Sequence, residues 1–405
     1  MVLPTTSRRP CWVEIDTRAL EDNYRLLRRL VGPTTECLAI VKANAYGHGL
    51  EICGPAAVRA GAQWLGVTSP EEGAAARAVC PDARIVIMGG IFPGQAASVF
   101  AHCLTPVVWE PRQLDELENF ARANGLPAAS MPVHLEIDTG MSRQGVSFDD
   151  LPAMLARFTT RSAVALDAVM THLYASDDST GETTSAQLGR LDESLAKIRT
   201  LLTEENAGHA WLSVGASAAL LGGESTAIAA LAARHGLIPM LRVGLALYGI
   251  APRYTPPHEA GHEPEALAEA RHQLKPVLAW KTRITSLRNV PAGAEVGYNG
   301  TFVASEPMRL ALLPLGYADG LDRRLGNRFS LLVGGQRAPL VGRISMDQAV
   351  VDVTEIGGVM PGDEVVVLGY QEGETITAFD HADAAGTIPW EVFTRIAARV
   401  ARVAF

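Results

Sequence analysis

Short apolar runs rich in β-branched residues recur through the first 245 residues, and stretches with helical spacing separate them. The eight runs are Cys37–Val41, Trp64–Val67, Arg84–Met88, Leu104–Val108, Val133–Ile137, Leu166–Met170, Trp211–Val214 and Leu241–Leu245. Amphipathic stretches such as 111–124 and 184–206 lie between them, and Ser69-Pro-Glu-Glu72 is typical of a helix capping box. Eight strand-then-helix units predict a TIM-like (β/α)8 barrel, because the alternative, an open doubly wound sheet, usually has fewer strands.

The pattern changes after residue 253. A Pro- and His-containing stretch is followed by strand-like segments that are separated by Gly, Pro and Asn turns without helices. These segments are 277–287, 309–314, 329–333, 349–353 and 364–368. We therefore expect a barrel domain over residues 10–255, a linker over 256–273 and a mostly antiparallel β domain over 274–405.

Composition excludes several classes of protein. The formal net charge of −9 argues against a nucleic-acid partner, and no apolar run is long enough to cross a membrane. The five cysteines are unevenly spaced and contain no C-x-x-C pair, so we expect free thiols rather than a zinc site or disulfides. No apolar segment follows the charged start of the chain, so we expect no export signal and a cytoplasmic location.

The first predicted strand ends in a lysine with unusual neighbours, within the string Ala39–Gly49 (AIVKANAYGHG). A lysine at the end of an apolar strand has a desolvated stem, which lowers its pKa and favours the neutral, nucleophilic amine. For an isolated lysine, a surface ammonium whose stem alone is buried would be the simpler interpretation.

The string around Lys42 resembles the cofactor-lysine motif of the alanine racemase family. Seven further segments resemble that family's motifs in the same order: His134–Arg143, Thr171–Leu173, Gly215–Ser217, Arg242–Gly249, Gly297–Gly300, Leu315–Gly320 and Gly342–Gln348. The resemblance implies a pyridoxal 5′-phosphate enzyme that interconverts L- and D-alanine, and a homodimer with shared active sites.

Racemisation needs one base on each face of the α-carbon, and the resemblance assigns these roles to Lys42 and Tyr298. It places Arg242 against the pyridine nitrogen of the cofactor and His172 near the ring. It implies that the cofactor phosphate is bound by Tyr46, Ser217, Gly244, Leu245 and Trp390. It places Arg143 at the cofactor hydroxyl and the substrate carboxylate, Met346 and Asp347 at the substrate, and Tyr317 and Arg323 at the entrance.

Three positions depart from the family's pattern. Many members have a carbamate-modified lysine where this chain has Glu136, and we expect Glu136 to supply the same negative charge beside Arg143, which would lower its pKa. Alternatively, Glu136 is paired elsewhere in the barrel, for instance with His134. Trp390 replaces a usual tyrosine and Ala216 a common asparagine.

Other functions stay open at this point. Trp390 allows a serine or broad-specificity racemase. A decarboxylase of the same architecture would place a carboxylate, rather than Arg242, against the pyridine nitrogen. A cofactor carrier without catalysis would resemble the barrel alone, and the motif around Tyr298 argues against it.

Overall fold

In the computed structural model the eight apolar runs form a closed parallel barrel. The structure describes residues 9–159, 161–199, 210–259 and 262–405. The barrel strands, called first to eighth in chain order, are Glu36–Ile40, Trp64–Val67, Arg84–Ile87, Leu104–Val108, Met131–Glu136, Val164–Met170, Trp211–Ser213 and Ile238–Val243. The first strand pairs with the eighth, with Leu38 opposite Arg242, so the sheet is closed and the open alternative is excluded. The predicted barrel is confirmed.

Helices follow the strands and cover the outer face of the barrel, while side chains of the strands fill its interior, which is why the strands are mostly apolar. In the barrel half of the chain they are Thr17–Leu30, Leu50–Arg59, Pro70–Val79, Ala96–Ala101, Pro111–Ala123, Leu151–Leu155, Glu182–Ile198, Ser217–Leu221, Ser225–Arg234 and Glu265–Gln273. The predicted stretch 184–206 forms most of Glu182–Ile198, and its last residues, 200–206, lie outside the described residues. No helix in the described ranges has both the length and the apolarity to span a bilayer.

The C-terminal half forms a mostly antiparallel sheet structure, as predicted. Its main sheet has the order Gln336–Pro339, Ser330–Val333, Glu364–Gln371, Leu278–Arg283, Cys11–Ile15 and Ala401–Ala404, with Glu374–Ile376 paired to Glu364–Gln371. A second sheet has the order Ser286–Val290, Met308–Leu313 and Ala349–Asp352, and a two-stranded ribbon joins Glu295–Val296 to Phe302–Val303. Two helices, Ala378–Ala385 and Pro389–Thr394, precede the last strand.

The boundaries between the two compact units differ from those expected from sequence. One unit contains Arg18–Ala45 and Leu50–Lys275, and the other contains 9–17, Tyr46–Gly49 and Pro276–Phe405. Residues 9–17 join the C-terminal unit because Cys11–Ile15 pairs antiparallel with Leu278–Arg283 and parallel with Ala401–Ala404.

The second half of the segment expected to be a linker is the helix Glu265–Gln273. It buries Leu267 and Ala270, which lie three residues apart and so share one face. Lys275, just beyond it, exchanges two hydrogen bonds with the Asn23 side chain, at 2.8 and 2.9 Å. The segment therefore belongs to the barrel unit, and its single large apolar residue, Leu267, gave too weak a pattern to predict the helix.

Candidate active site

Lys42 begins a tight left-handed turn directly after the first barrel strand. Residues 43 to 46 have φ between 50° and 55°, a region that non-glycine residues rarely adopt and that is concentrated at functional sites. Two side chains hold the turn: Asn44 accepts from the Leu50 amide over 2.8 Å, and Glu72 accepts from the Ala43 amide over 2.7 Å. Gly47 follows, where a Cβ would overlap the carbonyl oxygen of Phe393.

Glu72 contributes to the site, and its contribution was not predicted. The Ser69 hydroxyl accepts from the Glu72 amide at 3.4 Å, as the predicted helix cap requires. The Glu72 carboxylate, however, accepts from Thr68 and Ala43, so it ties the end of the second strand to the lysine turn. The only signal in the sequence was a carboxylate close behind a strand end.

The electrostatic environment of Lys42 favours its neutral form. Burial lowers the pKa of Lys42, the positive charges of Arg143 and Arg242 lower it further, and Glu72 opposes them. A neutral amine is the nucleophile that carbonyl chemistry needs. The predicted desolvation of this lysine is thus present in the structure.

Arg242 is buried at the end of the eighth strand, with only 3% of its surface exposed. Its guanidinium donates to the Ser213 carbonyl at 2.7 Å, to the Ser213 hydroxyl at 3.0 Å and to the Thr171 carbonyl at 2.8 Å. Burial lowers the pKa of Arg242 to about 10, with Glu136 opposing the shift, so the group remains a cation at neutral pH.

The fourth partner of Arg242 is His172, whose Nδ1 lies 3.1 Å from Nη2. Burial, followed by the charge of Arg242, lowers the pKa of His172 to about 3. The imidazole is therefore neutral, and because a guanidinium only donates, Nδ1 accepts and Nε2 carries the proton.

Two backbone amides and a hydroxyl converge at the same end of the barrel. The amides of Gly244 and Ala246 both donate to the Ser217 hydroxyl, at 3.1 and 3.2 Å, and Leu245 lies between them in a buried 3-10 turn. Converging amides and a hydroxyl after the last strands are a common phosphate site in barrels.

Arg143 lies in a loop that folds back on the fifth strand. The Asp138 amide donates to the Val146 carbonyl oxygen, at 3.0 Å, across the base of this loop. Arg143 itself is exposed in a cleft of about 550 Å³. Its positive charge lowers the pKa values of Lys42, His172 and Arg242, so Arg143 lies close to these three predicted site residues.

The expectation for the Glu136 pKa was wrong. Glu136 is 2% exposed, and burial raises its pKa by more than Gln144, Arg242 and Arg143 lower it. Its hydrogen-bond donor is the Gln144 side chain, at 2.5 Å, and within the described ranges no ion pair joins it to Arg143. His134, the other suggested partner, lies 3.3 Å from Asp167 instead.

The C-terminal unit carries the remaining predicted residues. Tyr298, Tyr317 and Met346 are exposed aromatic or apolar side chains, at 65%, 43% and 54% of their surface. The loops of Tyr317 and Met346 are joined by two backbone hydrogen bonds, Tyr317 to Ser345 at 3.1 Å and Ala318 to Met346 at 3.0 Å. Asp347 follows in the same loop, so three of the predicted substrate-side residues are adjacent.

Four other predicted positions are less distinctive. Tyr46 ends the left-handed turn, and burial raises its pKa to about 12. Trp390 is half-buried in the helix Pro389–Thr394. Arg323 is exposed in a short 3-10 turn, where its neighbour Arg324 pairs with Asp322. Ala216 precedes Ser217 at the start of its helix.

A barrel with a desolvated lysine, a buried arginine–histidine pair and converging amides at the carboxyl ends of its strands has the arrangement of a cofactor-dependent enzyme. The alanine racemase N-terminal domain family matches residues 15–252, and the alanine racemase C-terminal domain family matches residues 277–404. The chain belongs to the alanine racemase family, whose members are isomerases.

Individual relatives cover nearly the whole length of the chain. An alanine racemase of Symbiobacterium thermophilum is 36% identical over 394 residues, 97% of each chain. The solved alanine racemase of Streptomyces lavendulae, a D-cycloserine producer, has a TM-score of 0.85 at 32% identity and covers 99% of this chain and 98% of its own. That of Bartonella henselae, with covalently bound pyridoxal phosphate, has a TM-score of 0.81 at 26% identity, over 98% and 99%.

Proposed function

We propose that this chain racemises alanine with pyridoxal 5′-phosphate held covalently on Lys42. The main support is that a desolvated Lys42 lies within reach of the charge of Arg242, which is itself hydrogen-bonded to His172, at one end of the barrel. The bound cofactor withdraws electrons from the α-carbon of the substrate and so acidifies its proton.

The residues present fit this cofactor. Ser217 and the backbone of Gly244, Leu245 and Ala246 would hold the phosphate. Arg242 would face the pyridine nitrogen. Because a guanidinium donates and does not accept, it leaves this nitrogen unprotonated and the ring a weaker electron sink, which favours rapid return of the proton over other reactions.

The same arginine argues against a decarboxylase, which would need a carboxylate partner for the ring nitrogen. Among the described residues the hydrogen-bond acceptors of the Arg242 guanidinium are Ser213, Thr171 and His172, all of them neutral. Serine, or a range of amino acids, remains the second candidate substrate, because Trp390 is larger than the usual tyrosine.

The second base is Tyr298, and we propose that it acts on the active site of a second copy of this chain. A catalytic tyrosine that is 65% exposed needs further surface to cover it, and Tyr317 and Met346 are exposed in the same unit. A homodimer with two shared sites, in which Lys42 of one chain meets Tyr298 of the partner subunit, satisfies this need. The five free thiols favour a cytoplasmic location for it.

The experiment is a chiral assay of the purified, cofactor-loaded protein against a panel of L-amino acids in ²H₂O. We expect the highest kcat/KM for alanine and deuterium at the α-carbon of the D-product, because solvent-exchangeable bases move the proton. Highest kcat/KM for serine would favour the second candidate. No racemisation of any amino acid, with the cofactor bound, would leave only a carrier.

A further inference from the structure

Four charged side chains of the C-terminal unit form a closed cluster next to the loops that carry Tyr317 and Met346. Arg399 donates to Asp319 at 2.8 Å through Nε and to Asp347 at 2.7 Å through Nη2. Arg9 contacts the same two carboxylates, Asp319 through Nη2 and Asp347 through Nη1, the latter at 3.3 Å. Each guanidinium therefore bridges both carboxylates.

Asp319 is the centre of this cluster, because its side chain is completely buried. A buried carboxylate is costly unless cations and hydrogen bonds compensate it. The two arginines contact one of its oxygens, and the Gly316 amide donates to the other at 2.9 Å. Its backbone carbonyl accepts from the Ala397 amide at 3.0 Å. Asp319 thus fixes the loop that carries Tyr317 from both ends.

Asp347 connects the same two arginines to the neighbouring loop, which carries Met346. The two loops touch through their backbones: a Cβ at Gly316 would overlap the carbonyl oxygens of Ser345 and Met346. Any shift of one carboxylate relative to the other would therefore change the spacing of the loops. The four charged groups thus add side-chain links between two loops that their backbones already join.

We propose that the cluster of Arg9, Arg399, Asp319 and Asp347 is a positioning device that holds Tyr317 and Met346 at a fixed separation and so sets how tightly the substrate is bound. The proposal rests on the proposed function, in which these two residues border the substrate. Arg399 is a positioning residue: it acts through the two carboxylates. A lysine in its place would keep the charge but lose the planar fork that reaches both of them.

The test compares Arg399→Met with a matched control, Arg337→Met. Arg337 lies in the same unit, has a similar side-chain exposure (47% against 44%) and also pairs with a carboxylate, Glu374, at 3.2 Å. For Arg399→Met we expect the KM for alanine to rise about tenfold with little change in kcat, as the loss of charged hydrogen bonds implies. Arg399→Lys should lie between this variant and the wild type, and Arg337→Met should match the wild type.

Amide hydrogen exchange gives a readout that does not depend on activity. We expect the peptides around Tyr317 and Met346 to exchange faster in Arg399→Met and at the wild-type rate in Arg337→Met, whatever substrate the enzyme uses. If Arg399→Met does not fold, Arg9→Met removes the other bridge and should give the same pattern. Unchanged exchange together with an unchanged KM would overturn the proposal, whereas failure to racemise alanine in the wild type would overturn the proposed function alone.

Discussion

The side-chain amide of Gln144 donates to the buried carboxylate of Glu136 over 2.5 Å and to the carbonyl oxygen of Met88 over 3.1 Å. One amide thus links the fifth strand, the end of the third strand and the loop that carries Arg143. The negative charge of Glu136 also raises the pKa of Arg242 against the effect of burial. Glu136 is thus a buried anion in a site rich in cations. The link to Arg143 runs through the adjacent residue of the loop, since Glu136 is not itself paired with the guanidinium.

Glu136→Gln should weaken substrate binding, because it removes this charge and keeps the size. We expect kcat/KM to fall by an amount equivalent to about 1–3 kcal/mol of transition-state stabilisation, the range for a buried, charged hydrogen bond. Gln144→Ala, which cuts the link but leaves the charge, separates the two contributions. Activity should be indifferent to removal of carbon dioxide, since the charge belongs to the side chain. Steady-state kinetics decide: full activity at a normal KM in Glu136→Gln would reject a role for the charge.

The raised pKa of Glu136 also predicts how stability depends on pH. The folded protein binds this proton more tightly than the unfolded chain, whose ordinary value is about 4.3. Stability from this group is therefore largest below that value and is lost as the pH rises toward the folded pKa. Relative to Glu136→Gln, the wild type should become less stable in denaturant titrations as the pH rises above about 4.3. A stability difference that does not change with pH would contradict the raised pKa.

Lys42 should be the residue that carries the cofactor. Borohydride reduction of the purified protein should fix the pyridoxyl group, and peptide mapping should locate it on Lys42, because burial and two arginines favour its neutral amine. Lys275 is the internal comparison, since its ammonium is exposed and paired with Asp22 at 2.9 Å. A label on Lys275, or on any lysine other than Lys42, would contradict the assignment.

Complementation tests the shared site. Lys42→Ala and Tyr298→Phe should each be inactive alone, and their mixture should regain about a quarter of wild-type activity after random subunit exchange, because half of the dimers are hybrids with one intact site. Exchange is verified with differently tagged chains. If verified hybrids stay inactive, each site is built from a single chain.

Residues whose structure depends on local pattern were predictable, and residues whose behaviour depends on distant neighbours were not. The eight barrel strands are mostly apolar, so each could be located from its own sequence. The strand Cys11–Ile15 could not be assigned to its sheet, because its partners lie more than 250 residues away. The pKa of Glu136 was predicted in the wrong direction because burial, which no motif records, outweighs the nearby arginines. The roles of all the predicted site residues, including Lys42, Arg242 and Tyr298, remain predictions.

The pairing of the first barrel strand with the eighth has a consequence for the order of events during synthesis. Leu38 lies opposite Arg242, so the lysine turn meets its arginine only when the last strand is added to the ring. A ribosome-bound chain that ends before the eighth strand contains Lys42, Ser217 and His172 but lacks Arg242 and the amides of Gly244 and Ala246. The set of residues that surrounds Lys42 is therefore complete only after the eighth strand has joined the barrel.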